Sequence, residues 1–171
     1  MKAKITLDDI SIRTKIEPGD LGFIIYRHGK LYNAEYNFGV SFEAYVAGGI
    51  SEFYKNYDPV LDCVWIAEHD KSIVGFLLLM HRENKIAQLR YFYLEPEYRG
   101  LGLGKKLMEL YMQFLADRDY TAAYLLTTHE LGAAASLYSR HGFKLTKEEE
   151  STTFGRRLKE QRYDLQLQPQ R

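Results

Sequence analysis

The chain has 171 residues, 46% hydrophobic and 27% charged, with 23 Lys and Arg against 23 Asp and Glu. This is an ordinary globular composition, and the length suits a single domain over residues 1–171. The net charge of zero gives no electrostatic support to a nucleic-acid partner or an anionic membrane, so we expect neither.

Cysteine content and terminal composition favour a cytoplasmic protein. The single cysteine, Cys63, lies in an apolar run and is expected to be a buried thiol, so no disulfide framework can form within the chain. The first residues, MKAKITLDD, lack the apolar stretch of a secretion signal. No apolar run approaches the roughly 18 residues that a membrane span needs.

The first third of the chain predicts a strand and two helices. Apolar and polar residues alternate over residues 10–16, which predicts a strand. Residues 21–36 have a helical pattern interrupted by Gly22 and Gly29, which predicts a broken or two-part helix. Ser41 is a predicted N-cap of a second helix that runs to about Tyr54. Its buried stripe is predicted to be Phe42, Val46, Ile50 and Phe53.

Three strands are predicted next, over residues 64–69, 73–81 and 86–94, joined by short polar turns as an antiparallel meander. A helix follows from Lys105 onward, because its apolar residues recur on one helical face. These residues are Leu103, Leu107, Leu110, Tyr111 and Phe114.

The last third of the chain predicts strands and a helix in alternation. Residues 121–128 predict a buried strand, and residues 131–141 predict a helix that Gly142 ends. A strand begins at residues 143–146, and the charged run 147–150 is expected to be a solvated loop. The alternating residues Tyr163, Leu165 and Leu167 predict a last strand.

A glycine-rich turn separates the third meander strand from the helix after it: Arg99-Gly100-Leu101-Gly102-Leu103-Gly104. A strand, a glycine turn and a helix N-terminus form an anion site, because first-turn N–H groups lack intrahelical partners and the helix dipole favours negative charge. A Walker loop would need Ser or Thr at Lys106, and the glycine spacing does not fit a Rossmann fingerprint.

Two motifs resemble the GNAT superfamily of N-acetyltransferases. Arg99-x-x-Gly102-x-Gly104 is similar to its acetyl-CoA pyrophosphate loop, and AASLYSRHGF at 134–143 is similar to its A-x-x-L-Y-x-x-x-G-F signature. Further segments, such as PGDLG at 18–22, resemble the GNAT half of bacterial proteins that fuse a MarR-type winged helix to a GNAT domain. We expect a free-standing bacterial version of that half.

The resemblance implies the fold and the cofactor. The fold would be a mixed α/β (α+β) GNAT fold, with a mostly antiparallel sheet of six to seven strands flanked by about four helices, in the order β-α-α-β-β-β-α-β-α-β-β. Acetyl-CoA would be the co-substrate, its pyrophosphate held by backbone amides and its pantetheine arm by the Leu94 backbone. The implied cofactor-binding residues are Leu94, Arg99, Gly100, Leu101, Gly102, Leu103, Gly104 and Lys105.

The resemblance also implies catalytic residues for acetyl transfer to an amine. Tyr138 would be the general acid for the leaving thiolate, since an unperturbed tyrosine is protonated at pH 7. The acceptor amine must lose a proton first, a deficit of about 4 kcal/mol for an alkyl ammonium at pH 7. Glu130 and His129 are the favoured bases, because they follow a strand at the C-terminal end of the sheet. Glu95, Glu35 and His28 remain open as alternatives.

Departures from the family pattern leave the identity of the acceptor substrate open. Leu131 stands where many members have an Asn that holds the pantetheine arm, and Thr127-Thr128-His129-Glu130 replaces the Trp-Thr-Asn-Asp of the fused relatives. Seven aromatic residues of the first two helices are expected to be mostly core, with two or three lining an acceptor pocket: Phe23, Tyr26, Tyr32, Tyr36, Phe38, Phe42 and Tyr45.

The expected partner is a small primary amine or amino-acid-like acceptor. The five histidines show no metal-binding spacing, so no metal is predicted, and a homodimer stays open. The alternative function is a non-catalytic sensor or regulatory module that binds acetyl-CoA or CoA.

Overall fold

One seven-stranded sheet, with the order β1-β2-β3-β4-β5-β7-β6, organises the computed structural model, which describes residues 4–168. The strands are β1 (Ser11–Arg13), β2 (Cys63–His69), β3 (Ser72–Arg82), β4 (Ile86–Leu94), β5 (Ala122–Thr128), β6 (Lys144–Ser151) and β7 (Leu158–Gln166). The helices are α1 (Asp20–Tyr36), α2 (Val40–Lys55), α3 (Leu103–Asp117) and α4 (Gly132–Arg140). Neighbouring strands are antiparallel, except that β4 and β5 are parallel. The predicted mixed sheet, helix number and element order are confirmed.

Helices cover both faces of the sheet. On one face α3 and α4 pack with Leu107, Tyr111 and Tyr138 into a core shared with alternate residues of the strands. On the other face α1 and α2 form a second core. The predicted stripe of α2 is confirmed, since Phe42, Val46, Ile50 and Phe53 are all buried there. Cys63 is buried, as predicted.

The structure corrects two predictions about the first two helices, the break in α1 and the N-cap of α2. Helix α1 is continuous from Asp20 to Tyr36, so the two glycines do not break it. Gly29 instead permits close packing, because a Cβ there would lie 2.6 Å from Glu43 Oε2 on α2. Helix α2 begins at Val40 with Gly39 as N-cap, so Ser41 lies inside the first turn and caps nothing.

The charged run 147–150 was wrongly expected to be a loop, because it belongs to strand β6. Lys147, Glu148, Glu149 and Glu150 pair through their backbones with β7, at the edge of the sheet. A strand held by backbone pairing on one side needs no apolar alternation, and charged side chains discourage an edge strand from joining another chain. The first strand is also shorter than predicted, at Ser11–Arg13.

The last strands follow the prediction more closely. Gly142 has φ 92° just after α4, as expected of a glycine that ends a helix. Tyr163 and Leu165 of β7 are buried, and Leu167 lies just beyond the strand. Strand β5 is half-buried rather than fully buried, and its Leu126 side chain is 53% exposed.

A bulge in β4 shapes the centre of the sheet. Phe76 faces Tyr93 and Leu78 faces Arg90. Tyr91 and Phe92 of β4 therefore oppose the single β3 residue that lies between Phe76 and Leu78. Tyr91 has φ 56°, which is rare for a bulky residue. The bulge reverses the side-chain alternation, so Tyr91 packs with α1 and α2 while Phe92 packs with α3 and α4. No helix among residues 4–168 combines the length and apolar character needed to cross a membrane.

Candidate active site

Strands β4 and β5 separate in the middle of the sheet. They pair only over 86–89 and 122–125, and the bulge at Tyr91 lies just beyond the last pair. Past that point the facing edges of the two parallel strands have no ladder between them, so their N–H and C=O groups on that side are free for a ligand.

A cavity of about 420 Å³ occupies this opening, called here the splay cavity; its walls include Gln88, Arg90, Phe92, Thr128 and Tyr138. Helices α1 and α2 and the turn between them contribute four of the seven aromatic residues considered above, rather than two or three: Tyr32, Phe38, Phe42 and Tyr45. The volume is in the range of small-molecule sites.

The glycine loop forms the N-terminus of α3, two residues earlier than predicted. Gly102 is the N-cap in a left-handed conformation, with φ 89° and ψ 0°, and Lys106 N donates to its carbonyl at 3.0 Å. The amides of Leu103, Gly104 and Lys105 therefore precede the first intrahelical bond and are free. A Cβ on Gly100 would meet nothing within 4 Å. The loop thus offers free amides beside open space, which fits a diphosphate.

The predicted charged contacts of the loop have other partners in the structure. Arg99 Nη2 lies 2.7 Å from Glu35 Oε1 on α1, and Arg99 Nε donates to Leu94 O at 3.2 Å. Lys105 Nζ lies 3.7 Å from Glu109, with its side chain mostly exposed. Leu103 points its side chain into the core, so it can offer the site only its backbone.

Tyr138 reaches the splay cavity from α4. Its ring centroid lies 6.2 Å from Phe92 on β4, 6.2 Å from Phe143 and 6.3 Å from Tyr163. Burial raises the pKa of Tyr138 well above its usual value of about 10, so the hydroxyl is protonated at neutral pH. The sequence-predicted proton donor therefore lies on the cavity wall.

The favoured bases lie at the end of β5, where neither side chain is among those that line the splay cavity. Glu130 Oε1 forms an ion pair with Arg156, and its Oε2 is buried without a hydrogen-bond partner among the described residues. Arg156 Nε also donates to Tyr36 O at 2.8 Å. His129 Nδ1 accepts from Lys159 N at 3.1 Å, which ties it to β7.

Of the three open alternatives, His28 lines the splay cavity. Its Nδ1 lies 2.9 Å from Ile24 O and must carry the proton, since a carbonyl can only accept. Nε2 is then a lone pair, buried and without a partner among residues 4–168. Burial lowers the pKa of His28 to about 4, so it is neutral at pH 7. Glu95 is paired with Arg27, through two contacts of 2.6 and 2.7 Å.

Residues 61–145 match the family described as "Acetyltransferase (GNAT) domain". Within residues 61–145, just under half of the chain, the sequence is that of a GNAT acetyltransferase domain. The matched segment runs from just before β2 to the start of β6, so it contains the splayed strands, the glycine loop and Tyr138.

The chain is similar to curated N-acetyltransferases in sequence. "Uncharacterized N-acetyltransferase YjgM" of Escherichia coli (strain K12) is 32% identical over 98 residues, which are 56% of this chain and 59% of that protein. The chain spans less than two thirds of the length of the curated relatives it matches.

Solved structures confirm the GNAT fold over nearly the whole chain. A GNAT acetyltransferase of Staphylococcus aureus Mu50 superposes with a TM-score of 0.77 at 21% identity, covering 93% of this chain and 99% of that one. A GNAT acetyltransferase of Elizabethkingia anophelis with acetyl-CoA bound superposes with a TM-score of 0.65 at 13% identity, covering 94% and 99%.

Sequence reasoning missed two residues of this GNAT domain's cavity, Gln88 and Arg90. They are polar residues at positions i and i+2 of a strand that helices cover on both faces. Gln88 Oε1 accepts from Arg82 Nε at 3.0 Å, from Arg82 Nη2 at 2.7 Å and from Tyr124 Oη at 3.1 Å. Polar residues alternating in an otherwise apolar buried strand were the available signal.

Proposed function

We propose that this protein is an N-acetyltransferase that transfers the acetyl group of acetyl-CoA to a primary amine of a small or amino-acid-like molecule. The observation that carries the proposal is the separation of β4 from β5, with the free amides of α3 near the end of β4 and the splay cavity beside the opening. The one sheet that contains all seven strands supports treating residues 1–171 as one catalytic domain.

The free strand edges suit the pantetheine arm of the cofactor. Pantetheine is an extended chain with two amides, so it can pair with strand edges as an added strand does. Leu94 ends β4 on this side, although its carbonyl accepts a bond from Arg99 Nε at 3.2 Å in this structure. Amides 103–105 would bind the diphosphate, and Gly100 and Gly102 leave space for it.

The proton donor in this proposal is Tyr138. Acetyl-CoA supplies an activated thioester, and expulsion of its thiolate is assisted by a proton from the Tyr138 hydroxyl. Because burial raises the pKa of Tyr138, the hydroxyl stays protonated over the working pH range. Phe92, beside its ring, helps to exclude water from the reacting groups.

Two side chains compete for the role of base toward the ammonium group of the acceptor. Glu130 is favoured by its place after β5 at the C-terminal end of the sheet, and its Oε2 is buried without a hydrogen-bond partner among the described residues. His28 lines the splay cavity with a free Nε2 lone pair, but its lowered pKa of about 4 makes it a weak base. The lowered pKa of His28 suits it to accepting a hydrogen bond from the bound acceptor rather than to removing its proton, which leaves Glu130 as the proposed base.

The test is release of free thiol from acetyl-CoA across a panel of primary amines. Acetyl transfer is supported by amine-dependent thiol release that Tyr138→Phe reduces. The alternative function, a CoA-binding sensor of the kind suggested by the resemblance to MarR–GNAT fusion proteins, is supported by tight acetyl-CoA binding without thiol release above background.

A further inference from the structure

Arg90 places a guanidinium group in the wall of the splay cavity without a close acidic partner. Its side chain is 10% exposed. The nearest carboxylate oxygen in ion-pair range is Glu52 Oε2, 3.6 Å from Arg90 Nη1, and no carboxylate of residues 4–168 makes a hydrogen bond to it. A charge so deeply buried is stabilised only when it is paired and hydrogen-bonded.

Glu52 cannot neutralise Arg90 by itself, because it is shared. Its Oε1 lies 2.7 Å from Arg82 Nη1, the shorter of its two contacts. Two guanidinium groups therefore share one carboxylate in this part of the structure, so Arg90 has no carboxylate of its own.

The guanidinium of Arg90 is also held in place before any ligand arrives. Its Cζ lies 4.8 Å from the ring centroid of Tyr91 and 5.6 Å from that of Tyr45. A Cβ at Gly49 would lie 2.6 Å from Arg90 Nη2, so the absence of a side chain there lets the guanidinium lie against α2. A planar donor fixed between aromatic rings is preorganised for a planar, bidentate acceptor.

The other cations of the cavity wall already have close acidic partners. Arg162 Nη2 lies 2.8 Å from Asp164 Oδ1, and Lys147 Nζ lies 2.7 Å from Glu149 Oε1. Among the described residues that line the cavity, Arg90 is the cation whose charge is left for a ligand.

We propose that Arg90 binds a carboxylate of the acceptor, so that the preferred substrates are amines that also carry a carboxylate group. This inference rests on the proposed acetyl transfer, because it assigns the second functional group of the same acceptor. Arg90 lies just before the bulge at Tyr91 and Phe92, the neighbour of Tyr138, lies just after it, and both Arg90 and Tyr138 line the splay cavity. One small molecule can therefore place its amine near Tyr138 and its carboxylate at Arg90.

Matched acceptors test this proposal: L-phenylalanine against 2-phenylethylamine, and 4-aminobutanoate against 1-aminobutane. We expect kcat/KM to favour the carboxylate member of each pair, and Arg90→Gln to lower that preference about tenfold or more. Arg90→Lys, which keeps the charge but not the planar fork, is expected to retain part of the preference. Lys147→Gln is the control. It removes a positive charge from the same cavity wall, but that charge is already neutralised by Glu149.

The outcomes separate this inference from the proposed function. Thiol release with no preference for the carboxylate members, or a preference that Arg90→Gln leaves unchanged, overturns the inference and leaves acetyl transfer standing. Absence of thiol release with every amine contradicts acetyl transfer instead.

In that second case calorimetry with N-acetyl-L-phenylalanine and N-(2-phenylethyl)acetamide still tests the carboxylate site. The carboxylate site is supported if wild type binds N-acetyl-L-phenylalanine more tightly than N-(2-phenylethyl)acetamide and Arg90→Gln does not. It is overturned if wild type binds the two compounds with equal affinity. The melting temperature and the acetyl-CoA affinity of each variant show whether it is folded.

Discussion

Arg99 and Glu35 join the glycine loop to the end of α1, with 2.7 Å between Arg99 Nη2 and Glu35 Oε1. The arginine that the family resemblance assigns to the diphosphate is thus bound to a carboxylate of the opposite helix layer. A phosphate group that approaches the loop would compete with Glu35 for the same guanidinium.

This competition predicts opposite effects of two substitutions on CoA affinity. Arg99→Ala should weaken CoA binding by about tenfold, because it removes one charge-assisted contact. Glu35→Gln should strengthen binding by a few fold, because it frees Arg99 and removes a negative charge near the phosphates. Isothermal titration calorimetry measures both. If Arg99 served only to tie the loop to α1, both variants would bind CoA more weakly.

Gly102→Glu is expected to abolish CoA binding. Position 102 has φ 89°, and a carboxylate side chain there would project beside the free amides of α3 and repel the diphosphate. The backbone strain of a side chain at positive φ costs about 1–2 kcal/mol, so the variant should still fold. Gly22→Glu, on the exposed side of α1, is the control for added charge. Unchanged CoA affinity in Gly102→Glu would refute the assignment of the loop.

Tyr138→Phe is expected to lower kcat about ten- to a hundredfold with little change in the KM for acetyl-CoA. Since burial raises the pKa of Tyr138, the wild-type hydroxyl stays protonated well above its usual pKa. Ionisation of Tyr138 should therefore cause no fall in the wild-type kcat between pH 7 and about pH 10. Over this range the wild type and the Phe variant should show the same dependence of kcat on pH.

A matched control for this substitution is Tyr111→Phe. Tyr111 is a buried tyrosine of the same core whose hydroxyl has no hydrogen-bond partner among the described residues. It is not among the residues that line the splay cavity, so kcat should be unaffected. Equal losses in the two variants would mean that Tyr138 acts through packing.

Glu130→Gln tests the predicted base. If Glu130 removes the proton, its loss should lower kcat/KM at pH 7 by about a hundredfold and change the acidic limb of the pH–rate profile. The ion pair with Arg156 suggests a control, because Arg156→Gln breaks the same contact and keeps the carboxylate. Equal rate losses with no change in the shape of either profile would assign the pair a structural role.

Local patterns in the sequence predicted the fold well, and the errors come from long-range contacts. The helix around Gly29 is continuous because α2 packs closely against it, and no pattern within residues 21–36 contains that information. Strand β6 forms because β7 supplies its backbone partners, whereas its own side chains are charged and exposed.

The site divides in the same way. The glycine loop and Tyr138 were proposed from short motifs, because each would act through a local feature such as a helix N-terminus or a helix position. The significance of Arg90 depends on Gly49 and Glu52, which lie about 40 residues away in the sequence and come from α2. The bulge at Tyr91, which opens the cavity, is a register shift between strands and leaves no pattern in a single sequence.

The start of α1 makes stability depend on pH through Asp20. Arg13 holds both oxygens of its carboxylate, at 2.8 and 2.9 Å, and Glu17 N donates to it at 2.7 Å. Burial by itself would raise the pKa of Asp20, but these hydrogen bonds and the charge of Arg13 outweigh it, so the pKa is lowered on folding. A lowered pKa means that this stabilisation is fully present above the unfolded-state pKa, near 4, and is lost as the pH falls through the folded-state pKa.

Asp20→Asn should therefore reduce the free energy of unfolding by about 2 kcal/mol at pH 7, because it leaves the half-buried Arg13 with one carboxylate, Glu68, instead of two. The difference from wild type should shrink as the pH falls below the unfolded-state pKa near 4 toward the lowered folded-state pKa, because wild type loses the contribution of Asp20 over that range. Urea unfolding at pH 7 and pH 3 measures both values. Asp70→Asn is the control, since the Asp70 side chain is 90% exposed and its loss should change stability little at either pH. An Asp20→Asn deficit of equal size at both pH values would mean that shape, and not charge, is what Asp20 contributes.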